Sequence, residues 1–139
     1  NKWGAYGMSK LANLLFIHEL SVRLSNEDQT VIAAAVHPGY ANTELQAKGS
    51  RMKGSRLGAE SFSLANQLVA QSAAMGALPS LYAATATGVD SGDYFGPGGL
   101  FSLRGYPVLE TPSPKRVNSE AARALWTLSE HLTGLHFSV

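Results

Sequence analysis

One short segment limits the folds open to this chain more than any other feature. Residues 30–36, TVIAAAV, end in an uninterrupted apolar run that is followed by Pro38-Gly39. Strands of this kind are typical of parallel sheets, where helices cover both faces and no polar alternation is needed. The segment therefore predicts an α/β architecture in which this strand has neighbouring strands.

The flanking segments supply further elements of such a fold. Residues 4–25 are predicted to form a helix that is apolar on two sides, and therefore buried on two sides. A short strand is predicted within 92–97, GDYFGP, followed by a loop over 98–117. Residues 118–132 are predicted to form a last helix, capped by Asn118 or Ser119. The apolar face of that helix is expected at Ala122, Leu125, Leu128 and Leu132.

The middle of the chain has a helical pattern from Ala59 to about Ala86. Ser72 is a candidate N-cap for the second of two helices there, because its hydroxyl can accept a backbone N–H. Gly76 and Pro79 are expected to mark a break or a kink.

The order helix, strand, helices, strand, helix predicts a right-handed parallel crossover in a layered α/β fold. Two strands are too few to cover the apolar faces of four helices. The chain is therefore expected to be an incomplete part of a larger sheet.

Composition excludes several classes of function. The 139 residues carry a net charge of +1, so no overall field attracts nucleic acid. Cysteine is absent, which excludes disulfides and thiolate metal sites, and the histidines show no metal-ligand spacing. No apolar stretch reaches the ~20 residues of a membrane span. We expect a cytoplasmic protein without a metal site.

Tyr6 and Lys10 lie four residues apart at the start of the first predicted helix, so they share one face. A cation one turn away stabilises a phenolate, and so does the positive end of a helix. The pair is thus a candidate general acid/base. The same spacing also fits an ordinary surface pair at a helix start.

Four segments together resemble the second half of a short-chain dehydrogenase/reductase of the retinol-dehydrogenase-like and protochlorophyllide-reductase-like branch. In chain order they are YGMSKLANLLF, HPGYANT, SGDYFGP and AARALWTLSEHLTG. The resemblance covers nearly all of the chain. It implies the C-terminal half of a Rossmann-type doubly wound parallel sheet, a three-layer α/β/α fold, with residues 1–139 as one part of a single domain.

The resemblance also implies roles for Tyr6 and Lys10. Tyr6 would protonate a carbonyl oxygen during reduction or deprotonate an alcohol during oxidation. Lys10 would hold the nicotinamide ribose hydroxyls and assist Tyr6. The substrate would be a small, apolar alcohol or carbonyl compound.

Further cofactor contacts follow from the same resemblance. Pro38 and Gly39 would pass beneath the nicotinamide ring, and the backbone of Ala41 would meet the carboxamide, although the family usually has a branched residue there. Thr43 would face the cofactor amide or phosphate. A plain turn at Pro38-Gly39 and a capping box that starts at Thr43 explain the same residues structurally.

Members of that family begin with a glycine-rich dinucleotide-binding half, and they carry an active-site serine upstream of the tyrosine. Only five residues precede Tyr6 here. The resemblance therefore implies that the N-terminal half is absent and that the fragment alone is inactive. The cofactor would be NADP or NAD. The residues of this chain do not identify which of the two is used, nor the substrate, nor the direction of the reaction.

Two other functions stay open. One is a non-catalytic truncated module that binds a partner through the helix 4–25. The other is an epimerase or dehydratase of the same family. We also expect the protein to form a homodimer or homotetramer, with the helix 4–25 in the contact.

Overall fold

The structure is a computed structural model that describes residues 1–26, 30–40 and 70–138. Its elements in chain order are α1 (Lys2–Asn26), β1 (Ala35–Val36), α2 (Ala73–Thr85), β2 (Tyr94–Pro97), a 3₁₀ turn (Leu100–Ser102), β3 (Pro107–Leu109) and α3 (Ser119–Thr133).

The described strands pair in the order β1–β2–β3. β1 and β2 are parallel: the N–H groups of Ala35 and His37 donate to the carbonyls of Asp93 and Phe95, at 2.8 and 2.9 Å. The α/β prediction with a parallel pair is therefore confirmed, and the mixed architecture is consistent with part of a Rossmann-type sheet.

β3 was not predicted, because residues 98–117 were interpreted as loop. It is antiparallel to β2: Glu110 N donates to Tyr94 O at 2.7 Å, and Gly98 N donates to Tyr106 O at 2.8 Å. A three-residue strand is too short to show an alternating pattern in the sequence. β1 is likewise shorter than the run 30–36 that predicted it.

α1 begins and ends within two residues of the predicted bounds. Its burial agrees with the prediction in part. Leu15 and Leu24, which are nine residues apart and so lie on opposite sides of the helix, are both buried, whereas Met8 and Val22 are exposed. Met8 and Val22 therefore leave part of the apolar surface of α1 exposed in the described part of the chain.

α2 confirms the Ser72 cap and contradicts the break, although not the kink, that was predicted as an alternative at Gly76 and Pro79. The Ser72 hydroxyl accepts the N–H of Met75 at 3.2 Å. The helix then continues through Gly76 and Pro79 to Thr85. Both residues are buried, and the Pro79 side chain is fully so. Close packing at these two positions keeps residues that usually interrupt a helix inside this one.

α3 confirms its predicted bounds to within one residue and its cap. The Asn118 side chain accepts the N–H of Ala121 at 3.0 Å, and the helix ends at Gly134, whose φ is +69°. The predicted apolar face is wrong in part. Ala122 and Trp126 are the buried positions, while Leu128 and Leu132 are exposed.

The chain divides into two compact units. The first contains Asn1–Ala35, Thr87–Tyr94 and Leu109–Val139, and the second contains Val36–Ala86 and Phe95–Val108.

Trp126 organises the first unit. Its ring stacks on Phe16 with the centroids 5.1 Å apart and the planes at 17°. The Arg23 guanidinium carbon lies 4.5 Å from the ring centroid, and the Arg23 Nε donates to the buried carboxylate of Glu19 at 3.0 Å. A buried tryptophan of this kind contributes about 3–5 kcal/mol relative to alanine. α1 and α3 are thus joined by ring stacking and a cation–π contact, and the ion pair within α1 helps to hold the Arg23 guanidinium in place.

The second unit is built around Phe95, which is 4% exposed. Its ring meets Tyr82 of α2 with the centroids 5.2 Å apart. Phe95 is therefore a core residue of the second unit.

Candidate functional site

Tyr6 and Lys10 lie on the first turns of α1, in the first unit. Asn1 begins the helix: its side-chain oxygen accepts the N–H of Trp3 at 3.0 Å, and its carbonyl accepts the N–H of Ala5 at 3.1 Å. The Tyr6 side chain therefore lies near the positive end of the helix.

The two predicted side chains are close together. The Lys10 Nζ lies over the Tyr6 ring, 5.5 Å from its centroid, which is within the range of a cation–π contact. The Trp3 ring meets the Tyr6 ring edge to face, with the two centroids 6.5 Å apart. Tyr6 is 53% exposed, so a second molecule has access to the phenol.

The residues three and four positions from Lys10 along α1 are Tyr6, Gly7, Asn13 and Leu14, none of which is acidic. A carboxylate one turn away on α1 therefore does not compete with the phenol for the Lys10 ammonium. Its three N–H donors suit neutral acceptors such as the hydroxyls of a sugar.

Pro38 and Gly39 form a turn directly after β1, in the second unit. Gly39 has a φ of +63°, a conformation that side chains other than glycine rarely adopt. A Cβ at this position would lie 2.5 Å from the carbonyl oxygen of Leu103 and 2.6 Å from Pro97 Cγ. The glycine is therefore required by the packing of the turn against protein atoms.

The peptide between Pro38 and Gly39 is held at both ends. Its carbonyl oxygen accepts a hydrogen bond from Gln71 Nε2 at 2.7 Å, and its N–H donates a hydrogen bond to His37 Nδ1 at 3.2 Å. His37 therefore has a structural role as a hydrogen-bond acceptor in this turn. The Tyr40 N–H donates to Leu103 O at 2.7 Å and fixes the next peptide.

Gln71 was not predicted as a functional residue. It lies within the helical pattern 59–86, directly before the predicted cap Ser72, and only the fold brings it to residues 38–40. Ala41 and Thr43, the other two predicted cofactor contacts, lie outside the described residues, and their roles stay predictions.

A cavity of about 180 Å³ lies elsewhere in the first unit. It is lined by Leu14, Ile17, His18, Tyr94 and neighbouring apolar residues, and neither Tyr6 nor Lys10 reaches it. Within ranges 1–26, 30–40 and 70–138, no group of three His, Cys, Asp or Glu side chains is arranged to hold a metal ion. None of the helices in those ranges is both long and apolar enough to cross a bilayer.

Burial raises the pKa of Tyr94, and the negative charge of Glu110 raises it further. This phenol stays protonated at neutral pH, so it is not a candidate proton acceptor. It adjoins the cavity rather than the pair on α1.

Comparison with known proteins gives named relatives, although no family model matches the chain. The chain is 37% identical to Retinol dehydrogenase 13 from Homo sapiens over 137 residues, which is 97% of this chain and 38% of that protein. It is 34% identical to the short chain dehydrogenase/reductase dpchH from Colletotrichum higginsianum over 89% of this chain and 28% of that protein. The resemblance predicted from the sequence is therefore confirmed.

A solved structure agrees with the fold. The crystal structure of an uncharacterised protein from Mycobacterium paratuberculosis superimposes with a TM-score of 0.68 at 33% identity, covering 99% of this chain and 41% of that one. The chain thus spans about two fifths of Retinol dehydrogenase 13 and of this solved chain, and 28% of dpchH.

Proposed function

Since the chain is related to retinol dehydrogenases and other short-chain dehydrogenase/reductases, we propose that it is the C-terminal portion of an NAD(P)-dependent oxidoreductase. In this proposal the reaction interconverts an alcohol and a carbonyl compound. The lengths of the named relatives support a larger protein, because this chain spans 38% of Retinol dehydrogenase 13.

The observation that carries the proposal is the contact between Lys10 and Tyr6. The Lys10 ammonium lies 5.5 Å from the centroid of the exposed Tyr6 ring, so a cation stands beside the phenol that would exchange a proton with the substrate. A tyrosine that can both lose and regain its proton is the group that an alcohol/carbonyl interconversion needs.

In the proposed reaction Tyr6 moves one proton at its phenolic oxygen. During reduction the phenol gives this proton to the carbonyl oxygen of the substrate, and during oxidation the phenolate takes it from the alcohol. Lys10 compensates the negative charge left on Tyr6 after donation. When bound, the nicotinamide dinucleotide supplies the hydride or accepts it.

The residues present fit such a cofactor. Lys10 offers ammonium donors beside an accessible phenol, which suits the hydroxyl groups of a ribose. Pro38 is exposed on the turn after β1, so it can contact a ring from outside the protein. Ala41 and Thr43 complete the proposed set, and the choice between NAD and NADP is left to experiment.

The names of the relatives support a small, apolar alcohol or carbonyl substrate. A homodimer or homotetramer with α1 in its contact, and a cytoplasmic location, remain predictions. Light scattering of the complete protein tests the first of these, and a monomer at micromolar concentration would contradict it.

The test of the function is made on the complete polypeptide encoded by the gene. Reduction of a panel of aldehydes and ketones is followed by the loss of NADH or NADPH absorbance, for the wild type and for Tyr6→Phe. We expect Tyr6→Phe to lower kcat by about 10²–10⁴-fold with little change in cofactor affinity. Tyr106→Phe, which alters another exposed tyrosine, is the matched control and should keep wild-type turnover. Equal kcat in Tyr6→Phe and the wild type would remove Tyr6 from the mechanism.

A further inference from the structure

We infer that Gln71 is a positioning residue for the nicotinamide end of the cofactor, acting through the turn His37–Tyr40. The inference rests on the proposed function, because it takes this turn as the part of the chain that meets the nicotinamide.

Gln71 makes three hydrogen bonds and is 5% exposed. Its backbone N–H donates to the carbonyl of Tyr40 at 2.9 Å. Its side-chain Nε2 donates to the carbonyl of Pro38 at 2.7 Å, and its Oε1 accepts the N–H of Gly105 at 3.0 Å. One residue thus joins the turn to the connection between β2 and β3.

The two carbonyls that Gln71 binds are two residues apart on the same turn. A peptide group is planar, so fixing its oxygen also fixes the direction of its N–H. The Pro38–Gly39 peptide is then held at its oxygen by Gln71 and at its nitrogen by His37. Gln71 therefore sets the orientation of the peptide planes at the surface that the ring would meet.

The geometry separates Gln71 from a residue that merely adds stability. The Gln71 side chain holds the Pro38 carbonyl, whereas the left-handed backbone of Gly39 is held by packing against Leu103 and Pro97. Loss of the Gln71 amide should therefore leave the turn in place and allow its first peptide to rotate. A rotated peptide would then disturb a nicotinamide bound at the turn and would leave the binding of the adenosine part of the cofactor unchanged.

Two variants test this. Gln71→Met removes both side-chain bonds with little change in volume. Gln71→Glu keeps an acceptor for Gly105 N–H but loses the donor to Pro38. The matched control is Thr85→Val, which removes another 2.7 Å bond from a side chain to a backbone carbonyl in the same unit, outside the turn.

Dissociation constants are measured on the complete polypeptide for NADH, NADPH and ADP-ribose, the last of which has no nicotinamide. We expect both Gln71 variants to weaken the tighter of the two dinucleotides on the order of ten-fold. Binding of ADP-ribose should stay within two-fold, and Thr85→Val should change neither constant. Equal weakening of dinucleotide and ADP-ribose would overturn the inference, and so would unchanged dinucleotide binding. A wild type that binds none of the three ligands would overturn the proposed function and this inference with it.

A measurement without substitution covers the case in which the variants do not fold. In wild-type protein labelled with ¹⁵N at the glutamine side chains, the Gln71 amide signal should shift on addition of the dinucleotide and stay in place with ADP-ribose. An unmoved Gln71 signal at saturating dinucleotide would refute the positioning role.

Discussion

Replacement of Gly39 by alanine should destabilise the protein more than the same replacement at a glycine whose side-chain space is empty. The substitution adds one methyl group at a backbone φ of +63°. That methyl would lie 2.5 Å from the Leu103 carbonyl oxygen and 2.6 Å from Pro97 Cγ. Two costs therefore add: one from the backbone conformation and one from the clash.

The backbone cost is about 1–2 kcal/mol, the usual penalty for placing a Cβ in the left-handed region. The clash is with a backbone carbonyl and a buried proline ring, which move together with β2 and its connection. Forcing a methyl group into such packing costs roughly 1–3 kcal/mol more. We therefore expect Gly39→Ala to lower the free energy of unfolding by about 2–5 kcal/mol.

Gly88→Ala is the matched control, because Gly88 has a φ of +79° and no atom within 4 Å of a built Cβ. It carries the conformational cost alone, about 1–2 kcal/mol. Urea unfolding followed by circular dichroism measures both variants. Equal destabilisation by the two substitutions would refute the idea that Gly39 is needed because protein atoms occupy its side-chain space.

Three further predictions concern the first unit. Arg23→Met should lower the free energy of unfolding by about 1–3 kcal/mol, because it leaves the buried Glu19 carboxylate without its cation. Adding Glu19→Gln to Arg23→Met should recover part of this loss. Purely additive effects of the two substitutions in urea unfolding would contradict the prediction. Asn118→Ala should cost about 1 kcal/mol through loss of the α3 cap, while Asn118→Asp should cost less, and equal losses would exclude a capping role. The pKa of Tyr94 is raised in the folded state, so this residue contributes stability below its ordinary pKa near 10, and that stability is lost as the pH rises through the pKa of the folded state. Tyr94→Phe should therefore make the free energy of unfolding fall less steeply at alkaline pH. An unchanged slope would contradict the raised pKa of Tyr94.

The parts of the fold that could be predicted are those with local signals. The bounds of α1, the Ser72 and Asn118 caps and the strand at β2 all follow from periodicity or from capping chemistry. β3 was not predicted because a three-residue strand is too short to show an alternating pattern. The continuity of α2 was not predicted because the tertiary burial of Gly76 and Pro79 outweighs their local preference against helix.

The candidate site divides in the same way. Tyr6 and Lys10 are neighbours through helical spacing, so sequence alone brought them together. Gly39 was predicted as a cofactor contact, and the structure adds a packing reason that the sequence does not contain. Gln71 lies about thirty positions from the turn that it binds, and no local pattern predicts such a partner.

The tip of the β2–β3 connection differs from the turn at Gly39 in one respect. Phe101 and Ser102 have φ values of +53° and +54°, so two side chains occupy backbone conformations that glycine or asparagine would adopt more easily. Phe101 is 84% exposed, and little packing depends on its ring. Evolutionary drift should therefore be rapid at this tip and slow at Gly39, so that related chains diverge at 101–102 while keeping glycine after Pro38.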